Sequence, residues 1–407
     1  MKTLPLLLFF TLTILSCSDI QSQNSPAVKT GAEVLLDEHL EKLKGRKVGL
    51  IMNPTSRVDG THMLDTLLSL GVNIRALYAA EHGFRGEAAA GEIIEDGVDR
   101  STGLPVYSLY GSSKKPSAEM LDKVDLLLFD LPDMGVRFYT YSATMGMVLE
   151  AAWKNDKEVW VLDRPNPLGG EYVAGWTLEE RYKSFVGYYP MPIVYGLTMG
   201  EIAQMAVGEG WINTGDNLKY KVIEMEGWNR KMIWPDTKLP WIAPSPNLPS
   251  FDHAFAYTGT VIFEGTNLSE GRGTDEPFLT IGSPGFTYNS SDIRNLEEKH
   301  HVRLDSVCFI PKNIPGKALI PKLENIPSKG IKISFPNGYE NTDPLKLGLD
   351  LLVYAREHTD NFEVTNFANK LFGIDIESSI ESGKPLPGWE EDVSIFKTKR
   401  QPYLLYK

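Results

Sequence analysis

The twelve residues from Glu81 to Glu92 include three acids, a histidine, an arginine and three glycines. They directly follow a short apolar run, residues 74–80, that is typical of a buried strand. Polar side chains at the end of such a strand are where α/β proteins place reactive groups, and glycine lets the backbone approach a ligand closely. We interpret this segment as one wall of a functional site, with a charged surface loop as the alternative.

Carboxylates that act in pairs suit the hydrolysis of a glycosidic bond. One carboxylic acid protonates the leaving oxygen, and a second carboxylate acts as base or nucleophile. Glu81 is the best placed of the three acids because it stands at the mouth of the predicted strand. Glu87 and Glu92 lie further into the loop, where we expect them to be more exposed.

Comparable polar loops follow the other strands predicted in the first half of the chain. They span residues 53–57, 131–141 and 164–170. In an open parallel sheet, such loops emerge together at the carboxyl edge, where ligands bind. With the segment that begins at Glu81, they predict a polar cleft lined by acids, arginines and aromatic residues.

Tyr139 and Tyr141 alternate within the second of these loops, so an extended backbone would point both to the same side. Tyrosine offers a sugar both a stacking face and a hydroxyl. Ordinary half-buried packing is the alternative for this pair.

A similar loop occurs in the second half of the chain, at residues 263–276, with Glu264, Glu270 and Arg272 among several glycines. It lies just after a proline-rich stretch, residues 239–249, that predicts an extended connector. We expect the loop to close over the first domain, because a cleft between domains is a common ligand site. A solvated acidic loop is the alternative.

The alternation of strands and helices in the first half predicts a doubly wound α/β domain, which we place at residues 33–252. Short apolar runs predict parallel strands, and Thr198 with Glu201 predicts a capped helix start. The second half predicts a smaller α+β domain over residues 256–407. The runs that predict parallel strands in the first half are Lys47–Met52, Ile74–Ala80, Val124–Asp130 and Val159–Asp163. In the second half, strands are predicted at Thr260–Glu264, Val307–Ile310 and Ile331–Phe335. Helices are predicted there at 344–358 and 361–372.

The net charge and the absence of several motifs disfavour some functions. With 41 basic and 53 acidic residues the net charge is −12, which disfavours nucleic acid as a partner. The sequence contains no G-x-G-x-x-G after the first strand, no phosphate-binding loop, no H-E-x-x-H and no G-x-S-x-G. We therefore expect no cofactor and no metal; a metallohydrolase is a distant alternative.

The first 23 residues are predicted to be an export signal, because a short apolar core follows a basic start. Ile14-Leu15-Ser16-Cys17 is similar to a bacterial lipobox, which would make Cys17 a lipidated terminus. Leu15 is larger than usual there, so cleavage by the ordinary signal peptidase is the alternative. We expect an exported protein, either periplasmic or anchored as a lipoprotein. The other cysteine, Cys308, is predicted to be a buried thiol.

These loops resemble those of the exo-β-N-acetylmuramidase family, formerly catalogued under a domain of unknown function. The resemblance covers residues 33–407 and rests on the motifs at 81–86, 130–141, 163–167 and 264–274. It implies removal of terminal N-acetylmuramic acid from the non-reducing end of peptidoglycan fragments. It also implies a site between a Rossmann-like domain and a smaller C-terminal domain.

The resemblance gives Glu81 as the leading catalytic acid, by its place in the Glu-His-Gly segment. The second carboxylate is expected to be Glu264 or Glu270, with Asp133 in reserve. Because an arginine fork binds a carboxylate bidentately, we expect an arginine to hold the lactyl carboxylate of the sugar. The residues expected to bind substrate are His82, Arg85, Asp133, Arg137, Tyr139, Arg164, Asn166, Asn267 and Arg272. A non-catalytic lipoprotein that binds muropeptides in the same cleft is the alternative function.

Overall fold

The computed structural model describes residues 28–85, 95–111 and 113–407. The predicted signal and Cys17 lie outside these ranges, as do Glu87 and Glu92. Within the described ranges the strands, in chain order, are β1 (Val48–Met52), β2 (Arg57–Val58), β3 (Thr61–His62), β4 (Ile74–Ala79), β5 (Gly97–Val98), β6 (Pro105–Ser108), β7 (Leu126–Asp130), β8 (Glu158–Leu162), β9 (Lys219–Ile223), β10 (Thr280–Ser283), β11 (Arg303–Phe309) and β12 (Ser328–Ser334). The α-helices are α1 (Gly31–Val34), α2 (Met63–Ser69), α3 (Ala118–Leu121), α4 (Tyr141–Lys154), α5 (Met199–Gly208), α6 (Phe251–Thr260), α7 (Ser290–His300), α8 (Pro344–Glu357), α9 (Asn366–Phe372), α10 (Ile376–Ser382) and α11 (Glu390–Lys399).

A sheet in the order β5-β6-β4-β1-β7-β8-β9 forms the centre of the first domain. All neighbouring strands pair in parallel except β5, which pairs antiparallel with β6 at one edge. Strands run outward in both directions from β1, so the order reverses between β1 and β7. Ligands bind at the carboxyl ends of the strands near such a switch point. The prediction of a Rossmann-like, doubly wound sheet is confirmed.

The central strands of this sheet are apolar, and both of their faces are covered. Every residue of β1 and β7 is buried, as expected for a parallel sheet between two layers of helices. Met52 is paired with Asp130 at the last position of these two strands. The loops that follow therefore start at the same level and emerge side by side.

The capping box predicted at the start of α5 is present. The Thr198 backbone amide donates to Glu201 Oε2 at 3.0 Å, and the Glu201 amide donates to Thr198 Oγ1 at 3.2 Å. Asp163 reinforces this end of the helix, because its Oδ1 accepts from the Gly200 amide at 2.8 Å. A carboxylate at a helix N-terminus also interacts favourably with the helix dipole.

The second domain contains a three-stranded antiparallel sheet, in the order β10-β12-β11, together with helices α6 to α9. The predicted strands at Val307–Ile310 and Ile331–Phe335 are confirmed. The strand predicted at Thr260–Glu264 is wrong: Thr260 ends α6, and Val261–Gly265 is a 3₁₀ helix. Its apolar residues are buried on all sides, and a short apolar run does not distinguish a buried strand from a buried helix.

The prediction that Cys308 is buried is also wrong, since the thiol is exposed. Cys308 lies near the end of β11, where its neighbours in the strand are at most half-buried, because the core covers only the start of that strand. Leu304 of the same strand faces the core.

The end of the chain returns to the first domain. The Arg400 guanidinium donates to the carbonyl oxygens of Gly170 and Tyr195 at 2.9 and 3.0 Å. The Tyr406 hydroxyl donates to Asp163 at 2.7 Å. These bonds fasten the C-terminal segment beside the carboxyl edge of the large sheet. In the described part of the chain, no helix combines the length and apolarity needed to cross a bilayer.

Candidate active site

A cleft of about 370 Å³ lies between the carboxyl edge of the large sheet and the second domain. Its volume falls within the range of roughly 300–1,000 Å³ that is typical of small-molecule sites. Six of the residues predicted from the sequence line it: Glu81, His82, Tyr139, Glu264, Glu270 and Arg272. The structure thus brings the acids of two distant loops into one cavity.

Glu81 enters the cleft from the end of β4. Its backbone is followed by a turn in which His82 and Gly83 both have positive φ values, 72° and 81°. Thr140 Oγ1 donates to Glu81 Oε2 at 3.0 Å, and the Tyr141 hydroxyl lies 3.1 Å from the Glu81 carbonyl oxygen. Both the carboxylate and its backbone are therefore positioned by residues at the start of α4.

A second hydroxyl, that of Tyr110, also lies close to the Glu81 carboxylate. Burial and the charge of Glu81 raise the pKa of Tyr110 above its ordinary value. The phenol therefore keeps its proton and can donate it in a hydrogen bond to Glu81. Tyr110 was not predicted from the sequence, because it lies outside the polar loops identified there.

The second domain contributes a network of two carboxylates and two cations. Arg272 donates to Glu264 Oε1 through Nη2 at 2.6 Å and Nε at 3.2 Å, and its Nε lies 3.6 Å from Glu270. Lys322 Nζ lies 2.7 Å from Glu270 Oε2. Burial lowers the pKa of Arg272, but the two carboxylates outweigh burial and raise it. The network holds Glu264 and Glu270 in fixed positions.

Tyr257 connects the two sides of the cleft. Burial raises its pKa most, and the negative charges of Glu264 and Glu81 raise it further. Both carboxylates thus lie within electrostatic reach of the same phenol. Acids from opposite domains therefore meet in one cleft, and glycoside hydrolysis uses a pair of acids.

Tyr139 and Tyr141 contact each other rather than pointing together into the cleft. Their ring centroids are 5.0 Å apart and the rings are nearly perpendicular. Tyr139 lines the cleft, whereas Tyr141 is buried and accepts a hydrogen bond from Asn53 Nδ2 at 3.0 Å. One tyrosine therefore remains available as a wall for substrate, and the other supports Glu81.

Three of the arginines predicted to bind substrate lie outside the cleft. Their guanidinium groups form hydrogen bonds to other groups of the protein. Arg85 forms a bidentate pair with Asp99, at 2.7 and 3.1 Å. Arg164 forms a buried bidentate pair with Asp130, at 2.5 and 2.9 Å.

Arg137, the third of these arginines, is a structural residue. Its Nη1 donates to the carbonyl oxygens of Trp176 and Met191 at 2.8 and 2.5 Å, and burial lowers its pKa to about 9. Only Arg272 of the predicted arginines lines the cleft.

Asp133, Asn166 and Asn267 are likewise used for structure. Burial raises the pKa of Asp133 to about 7, and its carboxyl group accepts hydrogen bonds from the Gly135 amide and the Tyr195 hydroxyl. The side chain of Asn166 bonds to Leu197 and Leu168 backbone atoms, and that of Asn267 bonds to Asn361 and Glu363 backbone atoms. Asp and Asn side chains commonly form such hydrogen bonds to backbone groups in turns.

Sequence reasoning missed six polar residues of the cleft: Tyr110, Thr140, Ser245, Tyr257, Lys317 and Lys322. Thr140 belongs to the motif at 130–141, so its place there was a usable signal. The two lysines belong to a segment without a recognisable motif, and they reach the cleft only through the tertiary fold. Across residues 28–85, 95–111 and 113–407, no group of three or more His, Cys, Asp or Glu side chains is arranged to hold a metal ion.

Comparison with known proteins agrees with this architecture. Residues 48–252 match the family model described as exo-β-N-acetylmuramidase NamZ, N-terminal, and residues 255–406 match its C-terminal counterpart. The chain is 37% identical to the peptidoglycan β-N-acetylmuramidase NamZ of Bacillus subtilis (strain 168), over 98% of this chain and 97% of that protein.

Two crystal structures of DUF1343 family proteins from Bacteroides fragilis NCTC 9343 share the fold. One is 33% identical with a TM-score of 0.79, covering 94% of this chain and 99% of that chain. The other is 35% identical with a TM-score of 0.77, covering 93% and 99%. With both halves matched by the family models and a relative aligned over nearly its whole length, this chain belongs to the exo-β-N-acetylmuramidase NamZ family.

Proposed function

We propose that the protein releases terminal N-acetylmuramic acid from the non-reducing end of peptidoglycan fragments, with Glu81 as general acid/base and Glu264 as the second carboxylate. The observation that carries the proposal is the meeting of these two acids, from different domains, in one cleft. Membership of the family supports the substrate and the reaction.

In this proposal Glu81 donates its proton to the glycosidic oxygen as the bond to the anomeric carbon breaks. Positive charge develops on the sugar ring, and Glu264 stabilises that charge as a nucleophile or activates the water that attacks it. Thr140 holds the Glu81 carboxyl group in place, with the Tyr110 hydroxyl beside it, and Arg272 holds the carboxyl group of Glu264. Tyr139 supplies an aromatic wall against which a sugar ring can pack.

Glu264 is preferred to Glu270 as the second carboxylate because it is more accessible. Its side chain is 20% exposed, against 3% for Glu270. Glu270 also lies between two cations, Arg272 and Lys322, which suits a structural counter-charge.

Matched glutamine variants separate these two roles. We expect Glu264→Gln to lower kcat on a 4-nitrophenyl N-acetyl-β-muraminide by at least about 100-fold, since a carboxylate that takes part in the reaction is lost. Glu270→Gln should lower kcat less but reduce the melting temperature, because two cations lose a partner. Near-normal kcat in Glu264→Gln with abolished turnover in Glu270→Gln would reverse the assignment.

We also propose that the protein is exported and lipidated at Cys17, where it would meet peptidoglycan fragments at the membrane. The proposal is supported by the apolar run and the lipobox-like Ile14-Leu15-Ser16-Cys17. Metabolic labelling with an alkyne fatty acid should label the full-length protein and not Cys17→Ala. Absence of label on the wild-type protein, with release into the soluble fraction, would favour ordinary signal-peptide cleavage.

A further inference from the structure

We propose that Lys317 binds the lactyl carboxylate of the terminal N-acetylmuramic acid. The proposal rests on the proposed function, because it names the residue that recognises the group by which muramic acid differs from N-acetylglucosamine. From the sequence we expected an arginine to bind this carboxylate; from the structure we propose a lysine instead.

The charges that line the cleft leave one cation for the substrate. Among the described residues of the cleft, the cations are Arg272, Lys317 and Lys322. Arg272 and Lys322 are paired with Glu264 and Glu270. Lys317 has no carboxylate within 4.0 Å among the described residues.

The ammonium group of Lys317 is weakly held in comparison with these two cations. Its described contact is with the Thr274 carbonyl oxygen, and at 3.5 Å this is a long hydrogen bond. The side chain is half-buried, so part of its hydration is already lost. An anionic group in the cleft would therefore be a favourable partner.

The backbone of Lys317 is fixed, although its ammonium group is not. Asn247, which is fully buried in the connector, donates its Nδ2 to the Lys317 carbonyl oxygen at 2.8 Å. The amides of Lys317 and Ala318 both donate to the Ile314 carbonyl oxygen, at 3.0 and 2.8 Å. Together they anchor the lysine at the cleft wall, so less conformational entropy is lost on binding.

The chemistry of the substrate matches this position. The lactyl ether of muramic acid ends in a carboxylate, and N-acetylglucosamine has a hydroxyl in its place. A charge-assisted hydrogen bond from an ammonium group to a carboxylate is stronger than one to a neutral group. Lys317 therefore distinguishes the charged lactyl group from its neutral amide and from its absence.

The test combines a change in the enzyme with a change in the substrate. The two substrates are 4-nitrophenyl N-acetyl-β-muraminide and the same glycoside with its lactyl carboxylate converted to the primary amide. We expect the wild-type protein to prefer the acid by about 10- to 100-fold in kcat/KM. In Lys317→Met this preference should fall towards one, mainly through a higher KM for the acid, and Lys317→Arg should retain most of it.

The matched control is Lys312→Met, the same substitution at an exposed lysine on the same connection that does not line the cleft. It should keep the wild-type preference. An unchanged preference in Lys317→Met would overturn the proposal, as would an equal loss on both substrates, since that indicates a structural role. If the wild-type protein cleaved neither glycoside, the proposed function itself would fail, which is a separate result.

Discussion

Replacing Glu81 by glutamine is expected to lower kcat by about 10²- to 10⁴-fold on a natural disaccharide, because the proton donor to the leaving oxygen is lost. The amide keeps an oxygen that can accept the hydrogen bond from Thr140, so the fold should be retained. Activity on N-acetylmuramyl-β-1,4-N-acetylglucosamine and the melting temperature measure both effects. Near-normal turnover would remove Glu81 from the mechanism.

A comparison of two leaving groups shows whether Glu81 is the general acid or the second carboxylate. A sugar alcohol needs protonation to leave, whereas 4-nitrophenolate leaves readily without it. Glu81→Gln should therefore lose much more activity on the disaccharide than on the 4-nitrophenyl glycoside. Glu264→Gln, which lacks the second carboxylate instead, should lose similar factors on both substrates. The opposite pattern would exchange the two residues.

The second large effect is on stability, at the buried pair between Arg164 and Asp130. Both side chains are at most 8% exposed, and the pair joins the carboxyl ends of β7 and β8. Arg164→Met leaves the Asp130 carboxylate buried without its cation. We expect it to lower the free energy of unfolding by about 3–5 kcal/mol, measured by urea unfolding with tryptophan fluorescence.

Two controls define this effect. Arg181→Met removes a pair with Glu179 at the surface, where the arginine side chain is 62% exposed, and should change the free energy of unfolding far less than Arg164→Met. The double variant Asp130→Leu, Arg164→Met removes both charges and should recover much of the loss. Equal stability of Arg164→Met and Arg181→Met would show that the buried pair has no special role.

The central strands of the first domain were predictable because they are buried on both faces. Continuous apolar runs such as Leu126–Asp130, bounded by polar loops, have few alternative interpretations. The helix that begins after Thr198 carried its own start signal in the capping box. The second domain was harder to predict. Val261–Gly265 is surrounded by other elements, so it is as apolar as a buried strand. Its helical form is decided by packing rather than by periodicity.

The loops and the acids of the site were predictable from the sequence, but which of the arginines lines the cleft was not. A motif shows that an arginine lies near a strand end, yet not whether its guanidinium meets a ligand or the protein itself. Arg137 donates to Trp176 and Met191, partners 39 and 54 positions away in the chain, and no local pattern shows such pairing. Lys317 is the converse case, a residue without a motif that the fold brings to the cleft.

The most direct test of the account is to identify the product from peptide-free glycan chains that carry N-acetylmuramic acid at the non-reducing end. We predict that the wild-type protein releases N-acetylmuramic acid as a monosaccharide and that Glu81→Gln releases it at least about 100-fold more slowly. Internal fragments of the chains, or release of the monosaccharide by Glu81→Gln at close to the wild-type rate, would contradict an exo-acting cleft in which Glu81 is the acid.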